Sequence, residues 1–366
     1  MKVSTWLYRI MRSATILVLL SLLWFSDVTP VSADAITVET TVDVVDNTDN
    51  LCSLREAVFA SVNQDDYNEC RWTPGAYIWL QEDTYTVDLG TLPSISDDDD
   101  VKIYGANPNT TIIQPSSCNP IEDTCASNHR LFYVVSGGTL TLNKLTIRYG
   151  YTNDNYGGAI WNKGSLNILN SKFINNKSQR GGAIANFSTL EITSSTFSSN
   201  MAINSNGGAI YNETTGSMFS SESTYSENSA LRGGAIRSTG ILDLINCTFS
   251  NNSASIEGGA ISNNGELTIT NCTFSENAAV NGGAGIYNAN DGMLELKNTI
   301  IANATAGSEC INAGGTIEET SKNNLIEDNS CSPDYSDDPS LGPLADNGGH
   351  TLTHALLPGS PAMEMA

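Results

Sequence analysis

The chain has 366 residues, with 40 acidic against 17 basic and a formal net charge of −23. A surplus of that size repels phosphate backbones and other anionic polymers, so nucleic acid is not an expected partner. The length allows a single extended domain, and the low charged fraction of 16% leaves enough apolar residues to bury a long core.

Residues 1 to 33 carry Lys2, Arg9 and Arg12, an apolar stretch from Ala14 to Phe25, and then Val31-Ser32-Ala33. We read them as a secretory signal peptide, because the apolar core is shorter than the roughly 20 residues a bilayer span needs. No later segment is long and apolar enough to cross a membrane as a helix. The mature chain is therefore expected to be exported, extracellular or at the cell surface, and without a transmembrane span.

Residues 34–75 form the expected N-terminal cap. Within them Cys52-Ser53-Leu54-Arg55-Glu56-Ala57-Val58-Phe59-Ala60 predicts a helix, since Leu54, Ala57 and Val58 share a face and Ser53 can cap its start. A repeat protein exposes an apolar disc and open strand edges at its end, and a short amphipathic helix would cover them. Arg55 and Glu56 then belong to an ion pair of the cap rather than to a catalytic pair. Further on, Asp97-Asp98-Asp99-Asp100 precedes the strand-like Val101-Lys102-Ile103-Tyr104. A contiguous acidic run lacks the alternate spacing of a calcium loop and predicts a solvated turn.

The dominant feature is a repeated tetrapeptide. Gly-Gly-Ala-Ile occurs at Gly157-Gly158, Gly181-Gly182, Gly207-Gly208, Gly233-Gly234 and Gly258-Gly259, with an altered copy starting at Gly282. An aromatic-x-x-Asn series accompanies it: Phe173 with Asn176, Phe197 with Asn200, Tyr225 with Asn228, Phe249 with Asn252, and Phe274 with Asn277. Four of these aromatics lie at one fixed distance after their Gly-Gly start, and Tyr225 lies two residues later, where Glu213-Thr214-Thr215-Gly216 forms an insertion expected in a turn. Alternating runs such as Leu166-Asn167-Ile168 and Leu190-Glu191-Ile192 give strands, and no window shows a helical period.

A period in the twenties with short strands predicts an all-β fold, a right-handed single-stranded parallel β-helix over residues 76–303, regular over about 138–303. Stacked coils then pair each strand with its equivalent at roughly 4.8 Å, which ladders Ile160, Ile184, Ile210, Ile236 and Ile261 in one column and the aromatics in another. Paired glycines suit a tight corner, and the Asn column can satisfy turn amides along the axis. Tyr211, just after a Gly-Gly-Ala-Ile start, is expected to point outward and to matter less for stability.

Eight cysteines fit an oxidising compartment. Proximity pairs Cys52 with Cys70, Cys118 with Cys125, and Cys310 with Cys331, all outside the regular repeats. Cys247 and Cys272 share one place in consecutive Asn-Cys-Thr-Phe strands and are expected to stack inside the barrel, as buried thiols or as a ladder disulfide. Residues 304–366 are expected to be irregular. Their His350-x-x-x-His354 spacing would suit zinc on a helix, but nearby glycines, threonines and Pro358 point to turn and strand. His129 stands alone.

Polysaccharide cleavage needs paired carboxylates, or a base beside acidic ligands. In the repeats Glu191, Glu222, Glu227, Asp243, Glu266 and Glu276 are scattered singly, and Glu227 with Glu276, two coils apart in one column, is the best pair that can be assembled. Arg148, Arg180, Arg232 and Arg237 have no acidic cluster beside them. No catalytic, metal or cofactor motif is assigned.

The string Cys52-Ser53-Leu54-Arg55-Glu56-Ala57 resembles the motif for which CSLREA-domain proteins are named. Gly-Gly-Ala-Ile with Phe-x-x-Asn resembles the repeats of chlamydial polymorphic outer membrane proteins, and 338–362, from Asp338-Pro339-Ser340 to Pro361-Ala362, resembles the choice-of-anchor Q segment. The resemblance implies an exported right-handed β-helix of bacterial surface proteins. A sorting signal would be expected after the last segment, and the chain stops at Met363-Glu364-Met365-Ala366. The expectation is a noncatalytic surface or secreted scaffold, adhesin-like, that binds an unknown glycan or protein. The alternative is a carbohydrate-active β-helix enzyme, a lyase or an inverting hydrolase.

Overall fold

The computed structural model describes residues 35–116 and 129–363. Residues 1–33, expected to be a signal peptide, and the expected pair Cys118 and Cys125 lie outside the described residues.

The chain winds as a right-handed parallel β-helix, with one α-helix among the described residues. Four parallel sheets of eleven, ten, eight and five strands line its walls. The coils stack in register, with one irregularity between Ala230 and Arg232, and the inward columns stack mostly like over like. Leu140, Leu166, Leu190, Met218, Leu242, Leu267 and Leu294 form one inward column, and Phe132, Ile160, Ile184, Ile210, Ile236, Ile261 and Ile286 another. Five-residue strands such as Ser165–Leu169 bury alternate residues, as a pleat with one face on a core requires.

The aromatic column is fully buried. Phe173, Phe197, Tyr225, Phe249 and Phe274 stack with centroids 4.9, 5.2, 4.8 and 4.6 Å apart and nearly parallel planes. Tyr225 brings a hydroxyl into this core, and Ser220 stands in the neighbouring Ile and Leu column to hydrogen-bond it at 2.9 Å. A buried phenol needs such a partner, so the two changes compensate each other.

Beside the aromatics, Asn176, Asn200, Asn228, Asn252 and Asn277 form a buried amide ladder. From Asn200 onward each side-chain oxygen accepts the backbone N–H and the side-chain amide of the Asn one coil before, at 2.9–3.1 Å, and the Asn176 oxygen accepts from Gly150 N. Each amide also donates to a main-chain carbonyl of the preceding coil, Phe173 O in the case of Asn200. Asn162, Asn186 and Asn212 make a second such ladder after the Gly-Gly-Ala-Ile strand, ending on Ser238 Oγ. At a third corner Ser171, Ser195 and Ser223 pass hydrogen bonds the same way, and Cys247 and Cys272 continue that column as free buried thiols. Of the two states open for these cysteines, the structure has the thiol form, with sulfur standing where earlier coils place a serine hydroxyl.

The corner before each Ile needs glycine for two reasons. Gly207 has φ +70°, and a Cβ at Gly208 would strike the Gly234 carbonyl oxygen of the next coil. The altered copy is shifted by one residue. Gly283 has φ +65° and Ala284 lies over Gly259, so the equivalent pair starts at Gly283 rather than Gly282.

At the N-terminal end the strand Ala35–Thr37 already joins the eleven-stranded sheet, and helix α1 (Leu54–Asn63) packs against Tyr77–Leu80 and Asp100–Gly105. Ser53 and Glu56 form a capping box, and Cys52 is bonded to Cys70. Arg55 pairs not with Glu56 but with Asp43, through two bonds of 2.7 and 2.8 Å, and donates to the Gly90 and Thr91 carbonyls. Burial alone would raise the Asp43 pKa, but Arg55 and the amides of Leu89 and Asp88 hold it below the usual range. The four-aspartate run is a turn in which Asp99 accepts from Ser96 N and Asp100 pairs with Lys102.

The C-terminal part departs from the irregular coil expected for 304–366. Cys310–Asn312, Thr316–Ile317 and Leu325–Ile326 extend the parallel sheets, and Cys310 is bonded to Cys331. Leu341–Ala345 and Thr353–Leu356 then form an antiparallel hairpin that folds back on the wall. Thr224 Oγ1 donates to Leu352 O, Thr351 Oγ1 to Glu222 O, and the buried His354 bonds Gly342 O and Ser250 Oγ.

Phe249→Ala removes the centre of the aromatic stack and should cost about 3–5 kcal/mol in denaturant melts; a loss under about 1 kcal/mol would contradict the stacked core. Arg55→Ala strands Asp43 in the cap and should cost about 3–5 kcal/mol, with wild-type stability as the contrary result.

Candidate functional site

The inner face of this fold is filled, so chemistry must sit on outward positions. In the eight-stranded sheet the strands Phe132–Val134, Ile160–Asn162, Ile184–Asn186 and Ile210–Asn212 each send their middle residue outward. That outward column runs Tyr133, Trp161, Ala185, Tyr211, Arg237. The small Ala185 leaves a gap between two large rings, and Tyr156 from the adjoining corner fills it.

The result is a continuous external aromatic stack. Tyr133 lies on Trp161 with centroids 5.0 Å apart, Trp161 on Tyr156 at 5.3 Å, and Tyr156 on Tyr211 at 6.4 Å. Phe187 meets Tyr156 edge-on at 4.9 Å. Tyr211 points outward, as its position in the repeat predicts, but these neighbours leave it only 9% exposed, and burial raises its pKa. The other four rings are half-buried and keep an edge in solvent.

Four cations border the rings. Lys163 Nζ lies 4.0 Å from the Trp161 centroid, and the Arg130 guanidinium 5.0 Å from it. Arg180 sits between Tyr156 and Tyr211, at 5.5 and 5.8 Å, and donates to the Tyr156 hydroxyl. Arg237, next in the column after Tyr211, donates to Ser262 Oγ. Burial lowers the pKa of Arg130 and of Arg237, though guanidinium stays charged at any physiological pH. Among the described residues Arg130 pairs with Asp154 at 3.6 Å, a mostly exposed carboxylate. Among the described residues, Arg130 Nε and the Trp161 indole N–H are shielded without an acceptor.

Sequence reasoning missed this face because it weighed charge over the whole chain. Residues 129–212 hold seven basic residues and two acidic ones, whereas the rest of the chain holds ten basic and thirty-eight acidic. A windowed charge count, combined with the outward position after each Gly-Gly-Ala-Ile, would have found it.

The acidic candidates do not assemble. Glu227 and Glu276 are exposed at left-handed turn positions in a column that also holds Asn251, and Glu227 accepts from Ser199 Oγ. Glu222 accepts from Ser194 Oγ, and Arg232 pairs with Glu257. His350 is exposed and His354 is held in the hairpin. Among the described residues no group of three or more His, Cys, Asp or Glu is placed to hold a metal.

Burial raises the pKa of two carboxyls, Asp99 in the four-aspartate turn and Glu309. Burial, with added repulsion from Asp328 and Glu327, pushes Glu309 up to about 7 against the bond from Ala304 N. The site is closed, with Glu309 only 3% exposed, and its neighbours are committed to main-chain amides, Asp328 to Glu309 N and Glu327 to Asn303 N. This is a terminal-coil cap with no room for a substrate.

A family model for the Chlamydia polymorphic membrane protein repeat matches residues 194–213 and 246–264. Both stretches contain an aromatic-x-x-Asn and the Gly-Gly-Ala-Ile that follows it. No curated protein and no solved structure matches the chain.

Because Glu309 holds a proton in the fold that it would lose in the unfolded chain above a pH of about 4.5, its contribution should fall as pH rises from about 4.5 to about 7. Glu309→Gln should therefore melt with a weaker pH dependence than the parent across that window. Parallel curves for the two proteins would contradict the buried neutral carboxyl.

Proposed function

We propose that the chain is an exported, noncatalytic β-helix scaffold that binds a ligand on the aromatic and basic face formed by residues 130–237. The observation that carries the reading is the juxtaposition of Tyr133, Trp161, Tyr156 and Tyr211 with Lys163, Arg130 and Arg180 on one outward wall. Trp, Tyr and Arg are the residues in which binding energy concentrates at protein surfaces. Nothing in the core requires them there, since the inward columns already bury the apolar residues.

Export is supported by the two disulfides, which persist in oxidising compartments. Surface display is supported by the repeat similarity to polymorphic membrane proteins. We extend the same reading to the CSLREA-like helix as an end cap and to the choice-of-anchor Q-like tail as the segment next to any attachment point. An adhesin-like role follows if the ligand is fixed to another surface.

Catalysis has weaker support. A hydrolase needs two carboxylates set across a cleft, and the candidate pair Glu227 and Glu276 lies exposed on turns of the repeat. The test is a glycan and host-matrix array probed with the purified chain, with a reducing-sugar assay on pectin, alginate, chondroitin and xylan, with and without calcium. Binding without turnover is expected. Turnover that disappears in Glu276→Gln would replace the scaffold with an enzyme.

A further inference from the structure

The binding face has a charge and a periodicity that specify its ligand class. We infer that it takes a linear acidic oligosaccharide, one bearing carboxylate or sulfate groups, laid along the axis of the β-helix. The inference rests on the proposed binding role of this face and adds the chemistry of what it binds.

Charge complementarity is the first argument. Four cations, Arg130, Lys163, Arg180 and Arg237, border the rings, against the carboxylates of Asp154 beside Arg130, Glu213 near Tyr211 and Glu257 near Arg237, in a chain that is otherwise strongly acidic. Surplus acid elsewhere repels a polyanion, so binding is confined to this band and is weakened by the charge of the rest of the chain.

Spacing is the second argument. Coils repeat at roughly 4.8 Å, so cations supplied once every coil or every second coil lie roughly 5–10 Å apart. An acidic glycan carries one charge every sugar or two, which suits that interval.

Surface chemistry is the third. Half-buried ring edges from Tyr133, Trp161, Tyr156 and Phe187 offer apolar contact to sugar C–H groups, while the guanidinium groups of Arg130 and Arg180 supply donors for carboxylate or sulfate oxygens. Stacked rings have already lost their rotamer freedom, so ordering them on binding costs little.

The test is titration calorimetry of the full chain with oligogalacturonate, hyaluronan and chondroitin sulfate oligosaccharides, against cellohexaose, polyglutamate and oligo-dT. The acidic sugars should bind at least about tenfold more tightly than the others, and more weakly as salt is raised. Comparing the uronate with the sulfated oligosaccharides identifies which anion is preferred. Lys163→Gln with Arg180→Gln should weaken binding about tenfold, and Trp161→Ala about thirtyfold. Lys144→Gln with Lys172→Gln, the same charge change at a turn and on the neighbouring sheet, should leave it unchanged.

Equal affinity for cellohexaose, or for polyglutamate or oligo-dT, would overturn the ligand class while leaving a binding face. Unchanged affinity in the Lys163 and Arg180 variant, when its melting curve is that of the parent, would overturn the location. Binding of nothing on the array or in the titrations would overturn the binding role as well.

Discussion

In-register stacking is the constraint on which everything else depends. Each coil must place its main-chain groups within hydrogen-bond reach of the next, so the residue at a corner is chosen by the coil above it as much as by its own turn. The second glycine of each pair has a carbonyl oxygen of the following coil where its Cβ would be. The buried asparagines answer the same demand, because a corner cannot complete a sheet and its amides need a side chain that can both donate and accept. Successive coils can substitute within this rule. Cys247 and Cys272 keep the serine position with sulfur, and Tyr225 enters the phenylalanine column only together with Ser220.

This constraint separates stability from recognition. Inward columns and corners are fixed by stacking, which leaves outward strand positions free to vary. Most of them are used for small polar residues. On the eight-stranded wall they instead become Tyr133, Trp161 and Tyr211, with Tyr156 occupying the space above Ala185. Outward aromatics do add cross-strand stability. Their arrival together with Lys163, Arg130 and Arg180, in a chain so short of cations, is what stacking alone does not require.

The fold was legible because its rules are local and repeated. The Gly-Gly-Ala-Ile spacing gives the period, the alternating Leu166-Asn167-Ile168 pattern gives the strands, and Ser53 gives the start of the helix, whereas the reach of Glu56 back to Ser53 appears only in the fold. The partner of Arg55 was not legible, since Asp43 is twelve residues away and only the folded chain closes that distance. Nor was the hairpin at 341–356, whose anchors are single polar contacts to distant coils. The binding face was hidden for a different reason. Its residues come from strands, corners and turns of several coils, so no contiguous motif contains them, and a large net negative charge masked a local positive one.

The most direct measurement is hydrogen–deuterium exchange of the chain with and without a saturating acidic oligosaccharide. The account predicts added protection in 130–133, 156–163 and 180–187, where the strands and corners of the aromatic and basic face lie, and no change in the capping helix or the acidic C-terminal part. Protection confined to another wall, or spread evenly over the coils, would contradict it.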